Sequence, residues 1–337
     1  MVWSTGGVCV SKAFVRFRVR RDRTGFITAP ARMDGRPRWG ESSMAYFLSK
    51  NSTNVRNNNQ SSQSWLDGLM DLFHPWSRER HLLAEGRRMY LEPERAVAPP
   101  ALPEPAGAMV LAVPGFTPHI ASRLWGAERG EAAPLVLLAH GWEGQVHDML
   151  SFVQPLLNAG ARVVAFDAPA HGRSSGDETN LLEMARAIRA VAAAAGGKVA
   201  AVIGHGLGAA ALTLAIQDGF QAGRAILLSP LADLTLPLRQ IAYVLRLDLD
   251  SEHALGREID RALGQPLAAL HLHGDEGTPA LLIHSADDRI TPVADALQLA
   301  SVWPGAGMHL VQGLGHRRLL SDAGVIERAV GFALRGE

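Results

Sequence analysis

From residue 134 onward the chain alternates short continuous apolar runs with longer stretches in which apolar residues recur every three or four positions. The runs at 134–139 (PLVLLA), 162–166 (RVVAF), 199–203, 225–228 and 280–283 are short for buried helices and predict strands covered on both faces. Helical periodicity fills 148–157, 181–195 and 207–217 between them, and 293–302 and 322–334 beyond, with a last strand expected at 309–311. Residues 109–113 and 122–125 read as an opening antiparallel pair. Strands alternating with helices in this way predict the α/β class, a mostly parallel central sheet with right-handed crossovers and helices on both faces. An insertion of about 50 residues, roughly 230–277, carries helical patterns at 237–245 and 253–263 and predicts a small helical cap. Pro237 fits there only in the first turn, where a missing N–H costs nothing.

The N-terminal third reads differently. Residues 1–43 hold nine Lys or Arg against three Asp or Glu, and 51–64 (NSTNVRNNNQSSQS) are polar and low in complexity. The second stretch cannot bury a core and reads as a linker; 1–64 as a whole is expected to be a basic, Asn/Ser-rich disordered tail, or translation from upstream of a later start at Met44 or Met70. Contact of the segment RFRVRRDR with an anionic surface is the competing reading. Trp65, Leu66, Leu69, Met70, Leu72 and Phe73 form one apolar stripe, and Leu82, Leu83 and Met89 a second beyond Pro75. Together they predict a helical arm over 65–95, packing on the main domain rather than binding a partner. The Pro/Ala-rich stretch 96–108 is expected to be a linker to a domain spanning 109–337.

Charge and composition narrow the partners. The 33 basic and 33 acidic residues cancel, so no nucleic acid is expected as the partner of the whole chain. The one cysteine, Cys9, excludes an intrachain disulfide framework. Residues 199–216 are uncharged and nearly long enough to span a bilayer. Their glycines and His205 favour a strand–turn–helix instead, and no membrane span is expected. Basic residues break the apolar stretches at the N-terminus, unlike a secretory signal, and the expectation is a cytoplasmic protein.

The chemistry concentrates where strands end. Gly204-His205-Gly206-Leu207-Gly208 joins an apolar strand to an alanine-rich helix, with small residues two positions either side of the centre. A sharp strand-to-helix turn needs that spacing because the two backbones cross closely, and it lifts the central side chain above the sheet edge. Here the central residue is Gly206. After the strand at 134–139, the turn His140-Gly141-Trp142 can leave the Trp142 N–H free, and Leu207 at the start of the elbow helix offers a second N–H. Two such donors can hold a developing oxyanion; a purely structural glycine turn is the alternative. Asp288, in the loop 284–292 (HSADDRITP), precedes a helix expected to be capped by Thr291 with Pro292 at its first position, and is placed to orient a histidine. Asp287 is the alternative acid. His316 lies in a glycine loop after the last strand, so elbow, acid and histidine follow one another in the order nucleophile, Asp, His. Convergence of His140, His205 and His316 on a metal, or ligation by His271 and His273, is a weaker reading than local hydrogen bonding. The glycine turn lacks the spacing of a dinucleotide fingerprint, and no cofactor or metal is expected.

Residues 109–334 resemble the α/β-hydrolase superfamily, in particular its bacterial esterase or lysophospholipase-like branch with a small helical cap. His140-Gly141-Trp142, the stretch 167–174 (DAPAHGRS), Gly204-His205-x-Leu207-Gly208, Asp288 and Gly315-His316 carry the resemblance. It implies the α/β-hydrolase fold, Asp288 as triad acid, His316 as triad base, and Trp142 and Leu207 as oxyanion donors. It carries no nucleophile, because the motif position is Gly206. In such a triad the histidine takes the proton of a serine that becomes acylated, a route glycine closes. Ser229 and Ser285 follow strands but occupy no elbow, and His205 is out of register. The resemblance leaves two expected functions: slow hydrolysis of a small-molecule ester with an apolar acyl group by a water near His316, or non-catalytic binding of such a ligand. An interaction module built on the tail and the 65–73 helix is a third. The cap residues Leu236, Leu238, Ile241, Tyr243, Val244 and Leu245 are expected to present apolar surface to the site, or else to form a helix–core interface.

Overall fold

The computed structural model describes residues 75–95, 104–117 and 119–336; the expected tail 1–64, the first run of the arm and most of the linker lie outside the described residues. In chain order the main elements are α1 (Pro75–Leu91), β1 (Met109–Val110), β2 (Ser122–Trp125), β3 (Leu135–Ala139), α2 (Leu150–Asn158), β4 (Arg162–Phe166) and α3 (Leu181–Ala195). There follow β5 (Val199–His205), α4 (Leu207–Gln217), β6 (Ala225–Leu228), α5 (Leu236–Val244), α6 (Leu249–Leu263) and β7 (Ala280–Ser285). The chain closes with α7 (Val293–Ser301), β8 (Gly307–Val311), α8 (Gly315–Arg318) and α9 (Ala323–Arg335).

The eight strands form one sheet in the order β1-β2-β4-β3-β5-β6-β7-β8. Only the pairs β1·β2 and β2·β4 are antiparallel; β4 through β8 pair in parallel. Apolar runs without alternation become the central strands, where every residue of β3, β4, β6 and β7 is buried. Val136, Leu138, Ile203, Ile226 and Leu228 of the sheet share one cluster with Phe152, Val153 and Leu156 of α2 and Val325, Ala329 and Val330 of α9. Parallel register sets Ala139 beside Gly204, His205 beside Leu228 and Leu228 beside Ile283, so β3, β5, β6 and β7 end together at one sheet edge. That carboxyl edge is where an open α/β sheet builds its site.

Three elements depart from the pattern expected. β1 keeps two residues instead of five: the Leu111 N–H still reaches Ser122 O at 3.3 Å, and the chain then enters a turn at Pro114-Gly115. α6 starts four residues early because the Asp248 carboxylate caps it, accepting the Ser251 N–H at 2.8 Å. Thr291 does not cap α7. The helix opens at Val293 after an extended Pro292, while the Thr291 N–H is taken at 3.0 Å by Asp288.

α1 begins at Pro75, a position proline tolerates, and packs on α5 and α6. The crossing is close: a Cβ on Gly86 would stand 2.9 Å from Leu255 Cδ2 and 3.4 Å from Leu245 Cδ1. Leu245 thus faces the arm and Leu238 lies against Gly256 of α6, so these two serve helix packing, while Tyr243 is exposed. The arm also reaches the loop after β4. The Arg87 guanidinium pairs with both Glu178 oxygens at 2.6 and 2.7 Å. Arg95 donates to the carbonyls of Gly172, Ser174 and Gly176 at 2.7–2.8 Å. Among the described residues no helix is long and apolar enough to cross a membrane.

Candidate active site

The turn between β5 and α4 is as tight as its glycines demand. A Cβ on Gly204 would lie 2.5 Å from Leu212 Cδ1 and 2.8 Å from Ala209 Cα; one on Gly208 would lie 2.1 Å from the His140 carbonyl oxygen. Between them Gly206 has φ 53° and ψ −119°, a region side chains rarely occupy. Its N–H donates to Leu228 O at 2.9 Å, and its carbonyl accepts the Ala209 and Ala210 N–H groups that open α4. A Cβ built on Gly206 meets His316 first, 3.3 Å from Nε2 and 3.6 Å from Cε1, then Gly141 Cα at 3.9 Å.

His316 and Asp288 form a pair. His316 Nδ1 lies 2.8 Å from Asp288 Oδ2, leaving Nε2 directed toward Gly206. The acid's other oxygen accepts the N–H groups of Ile290 at 2.8 Å and Thr291 at 3.0 Å. Burial alone would raise the Asp288 carboxyl; the hydrogen bond and charge of His316, with the two loop N–H groups, outweigh it and hold the carboxyl below its ordinary value. Asp287, the alternative acid, points elsewhere. Its Oδ1 accepts from the Ser285 hydroxyl at 2.5 Å and from the Gly313 N–H at 2.8 Å, tying the acid loop to the histidine loop.

The first loop is held by two neutral histidines. His140 Nε2 accepts the Ala168 N–H at 2.9 Å while its Nδ1–H donates to Gly141 O at 2.7 Å. His171 Nε2 accepts the Glu143 N–H at 3.0 Å, its Nδ1–H donates to Pro169 O at 2.9 Å, and its ring meets Trp142 edge-on at 5.2 Å. Burial lowers both proton affinities, that of His171 to about 3. With Glu143 pinned at φ 55° and the Gly144 N–H returned to Gly141 O, the Trp142 N–H is left over. Among the described residues neither it nor the Leu207 N–H has a hydrogen-bond partner.

The remaining candidates separate. His205 is buried beneath the elbow, its Nε2–H donating to His316 O at 2.9 Å. His140 instead sits against His171, with ring centroids 5.1 Å apart, and among the described residues no group of three or more potential ligands gathers around a metal position. Ser285 is occupied by Asp287, whereas Ser229 is buried at φ 44° with its hydroxyl unpartnered. The sequence reading missed His284. Its Nε2 faces Thr291 O at 3.0 Å and lies 3.5 Å from Asp288 Oδ2, and its only signal was a histidine inside an apolar strand.

Solved structures share this architecture at low sequence identity. A putative hydrolase from Agrobacterium vitis S4 is 19% identical over 69% of this chain and 98% of its own, with a TM-score of 0.54. An esterase from Pyrococcus furiosus is 18% identical over 72% of this chain and 98% of its own, with a TM-score of 0.51. A bromoperoxidase from Bacillus anthracis is 14% identical over 68% of this chain and all of its own, at 0.52. Likeness at these identities is one of fold. None of the curated proteins compared with the chain matches it. The model of the alpha/beta hydrolase family matches residues 136–329, from β3 into α9, and includes the elbow, Asp288 and His316. The chain belongs to the alpha/beta hydrolase family.

Proposed function

We propose that the site hydrolyses small-molecule carboxylic esters slowly and without a covalent intermediate. His316 acts as general base to a water beside Gly206, Asp288 holds the histidine's tautomer, and the N–H groups of Trp142 and Leu207 take the developing oxyanion. The observation that carries this reading is the position of His316 Nε2, 3.3 Å from where a Cβ at residue 206 would stand, beside two unpartnered N–H groups. Glycine removes the acylation route, and what remains is of the order of the 10³–10⁴-fold acceleration over water that surrounding groups retain when a triad member is lost. An apolar acyl group is the substrate side expected from the family resemblance.

The test is Gly206→Ser. The restored hydroxyl should react with a fluorophosphonate probe and raise turnover of para-nitrophenyl butyrate by at least about a hundredfold over the native chain. A folded Ser variant that neither labels nor turns over ester would remove the esterase reading. The second reading, binding of an acyl ligand without turnover, is favoured by the glycine itself. It predicts that the native chain retains a fatty acid or ester without consuming it.

A further inference from the structure

We propose that Gly206 turns this site into a two-substrate acyl transferase, in which a small primary alcohol bound beside His316 takes the place of a tethered serine. The inference rests on the hydrolase reading above and goes beyond it by naming a second substrate.

Methanol has the same two heavy atoms as the hydroxymethyl group that would distinguish serine from the Gly206 present. The position of that group is bounded by His316 Nε2 and Cε1 at 3.3 and 3.6 Å and by Gly141 Cα at 3.9 Å. A covalently attached Cβ must accept the tight 3.3 Å approach to Nε2 and the φ of 53°. A free alcohol accepts neither: it can withdraw until its O–H donates to Nε2 at an ordinary hydrogen-bond distance. The next atom met from that position is the Gly141 Cα, a carbon that suits a methyl group better than a second water. The hydroxyl is then aimed at a carbonyl carbon whose oxygen lies between the N–H groups of Trp142 and Leu207.

The chemistry balances on the residues present. As the alcohol oxygen bonds to the ester carbonyl carbon, its proton passes to His316 Nε2 and the carbonyl electron pair moves onto oxygen. Collapse of that tetrahedral species expels the leaving alkoxide, which recovers the proton from Nε2. An ester and methanol yield a methyl ester and the displaced alcohol, with no acyl group ever on the protein. The lost tether has a consequence: the effective molarity of a fixed nucleophile, on the order of 10⁵ M or more, is forfeited, so the effect should grow with alcohol up to about 1 M rather than saturate at trace levels.

The experiment incubates the full-length native chain with para-nitrophenyl butyrate and increasing methanol, and quantifies methyl butyrate and butyric acid by chromatography. The expected methyl-ester to acid ratio is at least about tenfold that of His316→Ala under the same conditions, and falls from methanol through ethanol to isopropanol as the niche fills. Intact mass should show no acylated protein. A ratio equal to that of His316→Ala, or one indifferent to alcohol branching, overturns the proposal. So does an acyl adduct on the protein, which would give the nucleophile to an internal side chain such as Ser229. Fluorophosphonate labelling of Gly206→Ser separates the two ideas: a labelled variant beside a native chain that makes no methyl ester removes the transferase and keeps the hydrolase reading. An unlabelled, inactive variant beside a native chain that makes none removes both.

Discussion

His205 and His316 are joined by a 2.9 Å hydrogen bond from the ring Nε2–H of the first to the backbone carbonyl of the second, with ring centroids 4.5 Å apart. The last residue of the elbow strand therefore fixes the height of the histidine loop above the sheet. Burial keeps His205 neutral and its proton affinity far below the ordinary value, so the bond does not depend on charge. His205→Phe keeps the ring volume and removes the donor. It should lower stability by about 1 kcal/mol through the loss of this part-buried hydrogen bond. In a Gly206→Ser background it should also slow fluorophosphonate labelling by roughly tenfold, because a misplaced base costs more than a lost bond. Equal labelling rates with and without the substitution would detach His205 from the site.

Four buried histidines make the fold acid-sensitive. His140, His171, His205 and His284 all have proton affinities depressed by burial, that of His171 to about 3. In the unfolded chain they titrate near 6.5, so below that pH the unfolded state binds protons that the native state refuses. Their contribution is complete above about pH 6.5 and is lost as pH falls, by up to about 1.4 kcal/mol per pH unit for each. Asp288, held below its ordinary value, adds a loss only in the carboxylate range; Asp295, raised by burial, offsets part of it there. Urea midpoints should drop steeply between about pH 6.5 and about pH 5 and stay level above. A level profile across that whole interval would mean that these rings take up protons in the native fold.

The elbow glycines are unequal. Gly208→Ala drives a Cβ to 2.1 Å from the His140 carbonyl oxygen, which is backbone and cannot turn aside. Gly204→Ala meets the Leu212 methyl at 2.5 Å, a side chain that can, but also Ala209 Cα at 2.8 Å. Gly208→Ala should cost about 3 kcal/mol or more and Gly204→Ala somewhat less. Gly219→Ala, with nothing within 4 Å and φ at 90°, should cost about 1 kcal/mol from backbone strain alone. Thermal unfolding of the three variants ranks them, and a Gly208 variant as mild as the Gly219 one would contradict the close crossing.

This hierarchy explains why so much of the site was legible in the sequence. Backbone crossings leave a signature in residue size, so Gly204 and Gly208 mark the elbow in the sequence itself. The carboxyl ends of parallel strands placed Trp142, Asp288 and His316 on the same edge. What stayed hidden depended on which of two adjacent groups a loop turns inward. Asp287 and Asp288 are chemically identical neighbours, and loop hydrogen bonds decide between them: the Ile290 and Thr291 N–H groups gather on Asp288 Oδ1 and leave Oδ2 to His316, while Ser285 and Gly313 hold Asp287. The same bond removed Thr291 from its expected cap. The partner of the arm was hidden for another reason: the amphipathic pattern of α1 shows that one face is buried, not against what.

That arm supplies the last test. Arg95 donates to three carbonyls, those of Gly172, Ser174 and Gly176, on the loop that also carries His171, and the Leu91 carbonyl accepts the Thr179 N–H at 2.8 Å. His171 in turn holds the Glu143 N–H. A residue well outside the span matched by the family model thus braces the loop beside Trp142 and Glu143. Arg95→Ala should cost about 1 kcal/mol, because three carbonyls lose a charged donor while water reaches the bonds to Gly172 and Gly176. Arg95→Lys should recover only part, since an ammonium lacks the planar fork. Arg87→Ala breaks a better-looking bidentate pair, yet both of its side chains are about a third or more exposed, at 33% and 44%, and its cost should stay below about 1 kcal/mol. Amide exchange across 171–179 should accelerate in Arg95→Ala and not in Arg87→Ala; the reverse order would show that the arm holds the loop by charge pairing instead of by its carbonyls.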